Sequence, residues 1–135
     1  MREYITTFFK NDRSYLQGAE MFDAVMDNHR HAKNLSVKFL RPLATNPIVT
    51  DEPPADTGKI GAEFSFVIDG NQQNFWVLAS DIPISERRYI DESRYLSESK
   101  LLNGSIWQKV GDGSAGTFMQ RLVALNKVLL AHEFN

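Results

Sequence analysis

Three carboxylates and a glycine near the start of a predicted helix form the first candidate site for chemistry. Glu20, Asp23 and Asp27 are spaced i, i+3 and i+7, which places them on one side of the helix. A carboxylate can act as a general base, and backbone N–H groups at a helix N-terminus polarise a carbonyl. We therefore predict Glu20 and Asp23 as catalytic candidates, with Gly18 near the polarised carbonyl. The alternative is a solvated acidic face, because a helix N-terminus favours negative charge in any case.

Three arginines supply a second kind of candidate site, since the guanidinium fork matches the geometry of a phosphate. Arg87 and Arg88 are adjacent, and Arg41 ends a predicted strand. We predict all three as ligand-binding residues for a molecule that carries phosphates. The alternative for Arg87 and Arg88 is a surface helix on which nearby carboxylates balance their charge.

Trp76 is the third candidate and belongs to a segment, residues 75–79, that is apolar on both faces. Such a strand is covered on both sides or borders another chain. We predict Trp76 as a ligand-binding residue. A close-packed core and a dimer interface remain the alternatives.

Composition excludes several classes of site. The chain has no cysteine, which excludes disulfides, thiolate zinc sites, iron–sulfur clusters and cysteine nucleophiles. Two of its three histidines, His29 and His31, do not share a helix face, so we predict no metal site and no cofactor. The 15 Lys and Arg against 17 Asp and Glu give a formal net charge of −2, which argues against a nucleic-acid partner.

Length and the first residues bear on domain count and location. The 135 residues fit one domain, residues 1–135, with enough chain to bury a core. The N-terminus is polar from Arg2 onward, unlike a signal peptide, and no stretch approaches the 18 apolar residues of a membrane span. We expect a cytoplasmic protein with no membrane partner.

The hydrophobic pattern predicts an α+β fold with an antiparallel sheet. Alternating or β-branched runs predict strands over 3–9, 35–41, 61–68, 75–79 and 105–110, with a hairpin turn at 69–71. Helical spacing predicts a helix over 15–30, begun by a Ser14–Gln17 capping box, and an amphipathic C-terminal helix over 117–132. Three prolines make 44–58 a loop or an edge segment, and 85–101 fits either a helix from Ser85 or two short strands.

Two segments in this order, Ser14–Asp23 and Leu35–Leu43, resemble the hotdog fold, in which a curved antiparallel sheet wraps a central helix. Thioesterases and dehydratases of that superfamily often have a glycine entering the helix, as Gly18 does, and a strand that ends in a run similar to residues 39–42. The resemblance implies acyl-CoA or acyl-carrier-protein thioesters as ligands, and a homodimer with sites at the subunit interface. The long C-terminal helix is more similar to helix-grip folds that bind hydrophobic ligands, which is the alternative architecture.

Three functions follow from these features. The leading one is the binding of an acyl thioester in an apolar pocket, with its hydrolysis or dehydration left open. The second is non-catalytic binding of a hydrophobic small molecule, and the third is a protein-interaction module without a pocket. An enzyme should place Glu20 or Asp23 inside a cavity, and a binder should have the cavity without the carboxylate. We expect Glu20→Gln and Asp23→Asn to leave stability nearly unchanged.

Overall fold

The structure, a computed structural model, describes residues 1–91, 93, 99–102, 105–108, 122, 123, 125 and 127. Contacts divide the chain into two units, Met1–Tyr89 and Ile90–Asn135. The division falls inside the segment 85–101, for which the sequence pattern fits either a helix or two short strands.

An antiparallel five-stranded sheet organises the first unit. Its elements in chain order are β1 (Arg2–Tyr4), β2 (Phe8–Lys10), α1 (Gly18–Met26), β3 (Lys33–Phe39), β4 (Ile48–Thr50), a 3₁₀ turn (Thr57–Lys59), β5 (Ile60–Ile68), β6 (Asn71–Leu78) and β7 (Glu86–Arg88). The sheet has the strand order β1-β4-β6-β5-β3, and β2 pairs with β7 in a separate parallel pair. The predicted α+β class with a mostly antiparallel sheet is confirmed.

The helix α1 covers one face of this sheet, called here the inner face. Phe22 on α1 lies 6.1 Å from Phe64 between ring centroids, and His29, just after the helix, lies 5.2 Å from Phe66 and 4.9 Å from Phe75. These contacts place the main apolar core between helix and sheet. Its buried members are Leu16, Met21, Val25, Leu43, Val49, Ala62, Phe64, Phe66, Phe75 and Val77.

The β5–β6 hairpin is the element that the sequence predicts best. Asp69 and Gly70 both have positive φ, 50° and 79°, and Ile68 pairs with Asn71 across the two-residue turn. These are the dihedral signs of a type I′ turn, whose twist matches that of the flanking strands. Because pairing starts directly after the turn, the return strand begins at Asn71, four residues before the apolar run that predicted it.

Helix α1 is shorter than its predicted span of 15–30. It begins at Gly18, with Gln17 as the N-cap residue, so the capping box predicted at Ser14–Gln17 lies three residues further on. The helical spacing of apolar residues continues to His29 in the sequence, although the helix ends at Met26. His29 still faces the core, because its imidazole ring packs on the ring of Phe75.

Two short strands differ from the sequence prediction. The segment 3–9 is split into β1 and β2, which pair with different partners. The proline-containing segment 44–58 contains β4, which pairs with both β1 and β6 inside the sheet. The three residues of β4, Ile48–Thr50, are all β-branched and all buried, as an interior strand requires.

The second unit contains an antiparallel pair of strands, β8 (Ser99–Leu102) and β9 (Ser105–Gln108). Strand β9 agrees with the strand predicted over 105–110. The predicted amphipathic helix over 117–132 lies outside the described residues except for Leu122, Val123, Leu125 and Lys127, which are helical.

We predict that Gly61→Ala destabilises the protein by about 1–3 kcal/mol, because overpacking a filled core costs that much. A Cβ at Gly61 would lie 2.7 Å from Leu43 Cγ and 2.8 Å from Met21 Sδ. Urea denaturation measures the change. Gly18→Ala is the matched control: the three atoms nearest to its Cβ would belong to the ring of Phe39, at 3.1–3.3 Å, and Phe39 is an exposed side chain that can shift. Equal losses for the two variants would contradict the explanation.

Candidate functional site

The helix carboxylate Glu20 has a structural partner. It is only 5% exposed, and its Oε2 accepts a hydrogen bond from the backbone N–H of Gln17 at 3.1 Å. This bond satisfies one of the donors left open at a helix N-terminus. Glu20 therefore stabilises the start of α1, and its replacement is expected to affect stability, unlike the expectation from the sequence.

The other predicted residues of this helix lie near Glu20 but border neither of the two clefts described below. Asp23 is half-buried in the middle of α1. Gly18 lies against the ring of Phe39, so its small size is explained by the approach of that side chain. The structure thus brings Gly18, Glu20 and Asp23 together on one helix, and none of the three lines the Trp76 cleft or the cleft beside Arg2 and Lys59.

The arginines predicted to bind phosphate hold backbone carbonyls and aromatic rings of the first unit. Arg87 donates to the carbonyl oxygens of Asn11 and, at 2.7 Å, of Arg13. Arg88 lies over the ring of Phe8, with its Cζ 4.3 Å from the centroid, and contacts the Glu86 carboxylate at 2.9 Å. Both arginines thereby fasten the parallel pair of β2 and β7.

Arg41 supports the 3₁₀ turn that precedes β5. Its Nη1 donates to the carbonyl oxygen of Gly58 at 2.5 Å, and the Asp56 carboxylate accepts from the Gly58 N–H at 3.0 Å. The next residue, Lys59, accepts a backbone hydrogen bond from Ala79 at 2.9 Å. Arg41 therefore helps to position Lys59 beside the end of β6.

The two clefts described here lie on the face of the sheet opposite α1, called the outer face. Strand pairing sets a row of side chains across that face: Lys38, Glu63, Trp76, Thr50 and Arg2. Beside it, Ile48, Ile60 and Leu78 form a second apolar cluster, against which Trp76 packs. Trp76 therefore lies between a polar part and an apolar part of the outer face.

The Trp76 cleft occupies the polar part and has a volume of about 320 Å³. It is lined by Ser36, Lys38, Glu63, Phe64, Ser65, Asn74 and Trp76. Trp76 borders this cleft, and its role as a ligand-binding residue stays a prediction. Most of the other lining residues are polar, whereas the sequence led us to expect an apolar pocket.

The Arg2–Lys59 cleft occupies the apolar part and has a volume of about 350 Å³. Its lining consists of Arg2, Tyr4, Ile48, Lys59, Leu78 and residues 79–82. Within the described part of the chain, neither the guanidinium of Arg2 nor the ammonium of Lys59 has a hydrogen-bond or ion-pair partner. Two cations thus stand beside an apolar surface.

The wall of the Arg2–Lys59 cleft at residues 80–82 is held by a buried amide. The backbone N–H of Asn46 donates to the carbonyl of Ile82 at 2.9 Å, and its side-chain Nδ2 donates to the carbonyl of Pro83 at 3.1 Å. Its Oδ1 accepts from the N–H of Thr7 at 3.0 Å. Asn46 therefore joins the chain after β1 to the segment after β6, and fixes two sides of the cleft.

The N-terminal amine fastens β1, which carries Arg2 and Tyr4. It donates to Oδ1 of Asp51 at 2.7 Å, directly after β4. This hydrogen bond is the main cause of a raised pKa for the amine and a lowered pKa for the Asp51 carboxyl. The pair is exposed, so it fixes geometry more than it adds to stability.

Arg2 and Lys59 were missed by sequence reasoning. Arg2 and Tyr4 alternate along β1, a signal that they share a face, but nothing in the sequence shows which face is free. Lys59 is brought to the cleft by the hydrogen bond from the Ala79 N–H to its carbonyl and by the pairing of Ile60 with Leu78. The sequence pattern instead pointed to the adjacent Arg87 and Arg88. Their partners Asn11, Arg13 and Phe8 are distant in the sequence and could not be identified from it.

Comparison of the chain with protein-family models, with curated proteins and with solved structures finds no match. In the described ranges, no three His, Cys, Asp or Glu side chains are grouped as a metal site requires. No helix among those same residues is long and apolar enough to cross a membrane.

We predict that Glu20→Ala destabilises the protein by about 1 kcal/mol, because it removes the acceptor for the Gln17 N–H. Glu20→Gln keeps an oxygen at that position and should cost less. Asp27→Asn, at an exposed carboxylate after the helix, should stay within about 0.5 kcal/mol of the wild type. Chemical denaturation of the three variants measures these differences. A Glu20→Ala loss no larger than that of Asp27→Asn would contradict the capping role.

We predict a pH window for the attachment of β1. The lowered pKa of Asp51 means that its contribution is present above the ordinary value of 3.8 and is lost as the pH falls through the folded value. The raised pKa of the amine means that its contribution is present below 8.0 and is lost as the pH rises through the folded value. The attachment is therefore complete between these limits. NMR titration of the Asp51 carboxyl checks this: acetylating the amine should return the midpoint to the ordinary value, and an unchanged midpoint would contradict the pairing.

Proposed function

We propose that the chain is a non-catalytic binding module that holds a small amphipathic anion in the Arg2–Lys59 cleft. The observation that carries the proposal is the pair of unpartnered cations beside an apolar surface. The exposed side chains of Tyr4 and Ile82 supply that surface, together with the largely buried Ile48 and Leu78 in the lining. A ligand with an apolar body and one anionic end matches both parts of the cleft.

The charges of the cleft favour an anion over a neutral or cationic ligand. Arg2 and Lys59 bring two positive charges, and Asp81 is the carboxylate in the lining. The excess of one positive charge matches a carboxylate or a phosphate monoanion. An arginine fork in particular pairs with such oxyanions.

The size of the cleft limits the ligand to a short apolar body. At about 350 Å³, it lies near the lower end of the range of roughly 300–1,000 Å³ typical of ligand pockets. An acyl chain that ends in a carboxylate fits this description. A whole acyl-CoA would extend beyond the cleft, with only part of the molecule inside.

Binding without turnover is proposed because neither cleft contains a helix carboxylate. Glu20 and Asp23 border neither the Arg2–Lys59 cleft nor the Trp76 cleft. Hydrolysis or dehydration of an acyl thioester stays a prediction, as does the homodimer. Incubation of the protein with an acyl-CoA series, with free thiol as the readout, tests the catalytic prediction.

We predict that the protein binds octanoate more tightly than octanol and octylammonium, which share its chain length and differ in charge. Titration calorimetry measures the three affinities. The double variant Arg2→Gln/Lys59→Gln should lower octanoate affinity about tenfold at low salt, because each exposed ion pair contributes about 0.2–1 kcal/mol. The loss should shrink in about 0.5 M salt, where such pairs are screened.

The double variant Arg30→Gln/Lys33→Gln is the matched control. It removes the same charge from exposed residues that border neither cleft, and it should leave octanoate affinity unchanged. Equal losses of octanoate affinity in the two double variants would show that the loss comes from the change in net charge, and would contradict the site. Equal affinities for octanoate, octanol and octylammonium, or the absence of binding by all three, would contradict the proposed function.

A further inference from the structure

The Trp76 cleft offers a different chemistry on the same outer face, and we propose that it binds a neutral sugar ring stacked on Trp76. The cleft shares no lining residue with the Arg2–Lys59 cleft. The inference is therefore independent of the proposed function and adds a second ligand class to it.

The aromatic side chain of the cleft is the first reason. Phe64 also borders the cleft, but it is only 2% exposed and packs against Phe22 on the inner face. Trp76 is half-buried on the outer face and is held from one side by the apolar cluster of that face. The face of an indole ring carries negative charge density. The C–H face of a pyranose is apolar and slightly positive, so the two faces attract.

The polar groups around Trp76 are the second reason. Ser36, Ser65 and Asn74 offer hydroxyl and amide groups, which both donate and accept hydrogen bonds. Sugar hydroxyls also do both, so they match this set better than a ligand that only accepts. The Ser65 oxygen accepts from Gln72, which leaves its O–H to donate.

The charge of the cleft is the third reason. Lys38 and Glu63 are directly paired across β3 and β5, and together they bring no net charge. A nucleotide could also stack on Trp76, but its phosphates would lie close to the Glu63 carboxylate with a single cation to offset it. A neutral ring avoids this repulsion, so the balance of charges favours a sugar over a nucleotide.

Saturation-transfer NMR with the methyl glycosides of glucose, galactose, mannose and N-acetylglucosamine tests the inference. We expect transfer to the ring C–H protons of at least one glycoside. Trp76→Leu keeps an apolar contact with the cluster and removes the ring, so it should lower affinity about tenfold. Asn74→Ala, at an exposed residue outside the core, should lower affinity about fivefold without changing stability.

Tyr15→Ala is the matched control, because it removes an exposed aromatic ring that borders neither cleft. It should leave the transfer unchanged. Transfer that persists unchanged in Trp76→Leu and Asn74→Ala, or no transfer from any glycoside, would overturn the inference. Adenosine monophosphate that binds more tightly than every glycoside and depends on Trp76 would also overturn it, in favour of a nucleotide.

Octanoate titrated into Asn74→Ala separates this inference from the proposed function. Octanoate binding should remain at the wild-type level while glycoside binding falls. The affinity for a glycopeptide that carries the same sugar is then compared with the affinity for the methyl glycoside. Tighter binding of the glycopeptide indicates a sugar attached to a protein, and tighter binding of the glycoside indicates a free sugar; binding of either supports the site.

Discussion

One extra residue in β5 decides which side chains reach each face of the sheet. Ile60 pairs with Leu78 and Ala62 with Val77, so Gly61 is left over as a bulge. Side chains alternate along a strand, and a single inserted residue moves everything before it to the opposite face. The bulge therefore places Ile60 on the outer face, where it joins the apolar cluster. A glycine is required there because Leu43 and Met21 fill the space that a Cβ would need.

Both clefts depend on that arrangement. Without the bulge, Ile60 would turn toward α1, and the support for Trp76 and the apolar surface beside Arg2 and Lys59 would be incomplete. The inner face is already closed by the helix and by the stacked rings of Phe66 and Phe75, 5.5 Å apart. The helix stabilises the sheet from the inner face, and both clefts lie on the opposite face.

The sequence predicted the parts of the fold that local patterns control. Asp69 and Gly70 specify their turn through positive φ, and the alternation along β5 specifies its pairing with β6. The predicted strand over 3–9 overlaps β1 and β2 but missed the break between them, and β4 was not predicted, because a three-residue element carries too few residues to show a period. Their pairing depends on partners distant in the chain. The helix begins later than predicted because its N-terminal cap is formed by Gln17 and Glu20. The usual capping-box pattern has serine or threonine at the first position, so it pointed to Ser14.

The candidate site was harder to predict than the fold, since the role of a charged residue depends on what lies within reach of its end. Arg87 and Arg41 have the right chemistry for a phosphate, but backbone carbonyls occupy them. Arg2 and Lys59 carry no distinguishing motif, and the fold alone brings them to one cleft. Trp76 lies in a two-sided apolar run and borders a cleft, but its role in binding a ligand stays a prediction. Its polar neighbours come from three different strands, and only the strand pairing shows that these strands are adjacent.

The parallel pair of β2 and β7 also determines the order in which the first unit can be completed during synthesis. Asn11 and Arg87, which fasten the pair, are 76 residues apart. All five strands of the sheet precede β7 in the chain, so they leave the ribosome before the partner of β2 does. Until then, Phe8 and Phe9 lack the arginines that cover their rings. Until β7 pairs, the nascent chain thus carries an exposed aromatic edge at β2, the kind of apolar surface that makes incompletely folded proteins prone to aggregation.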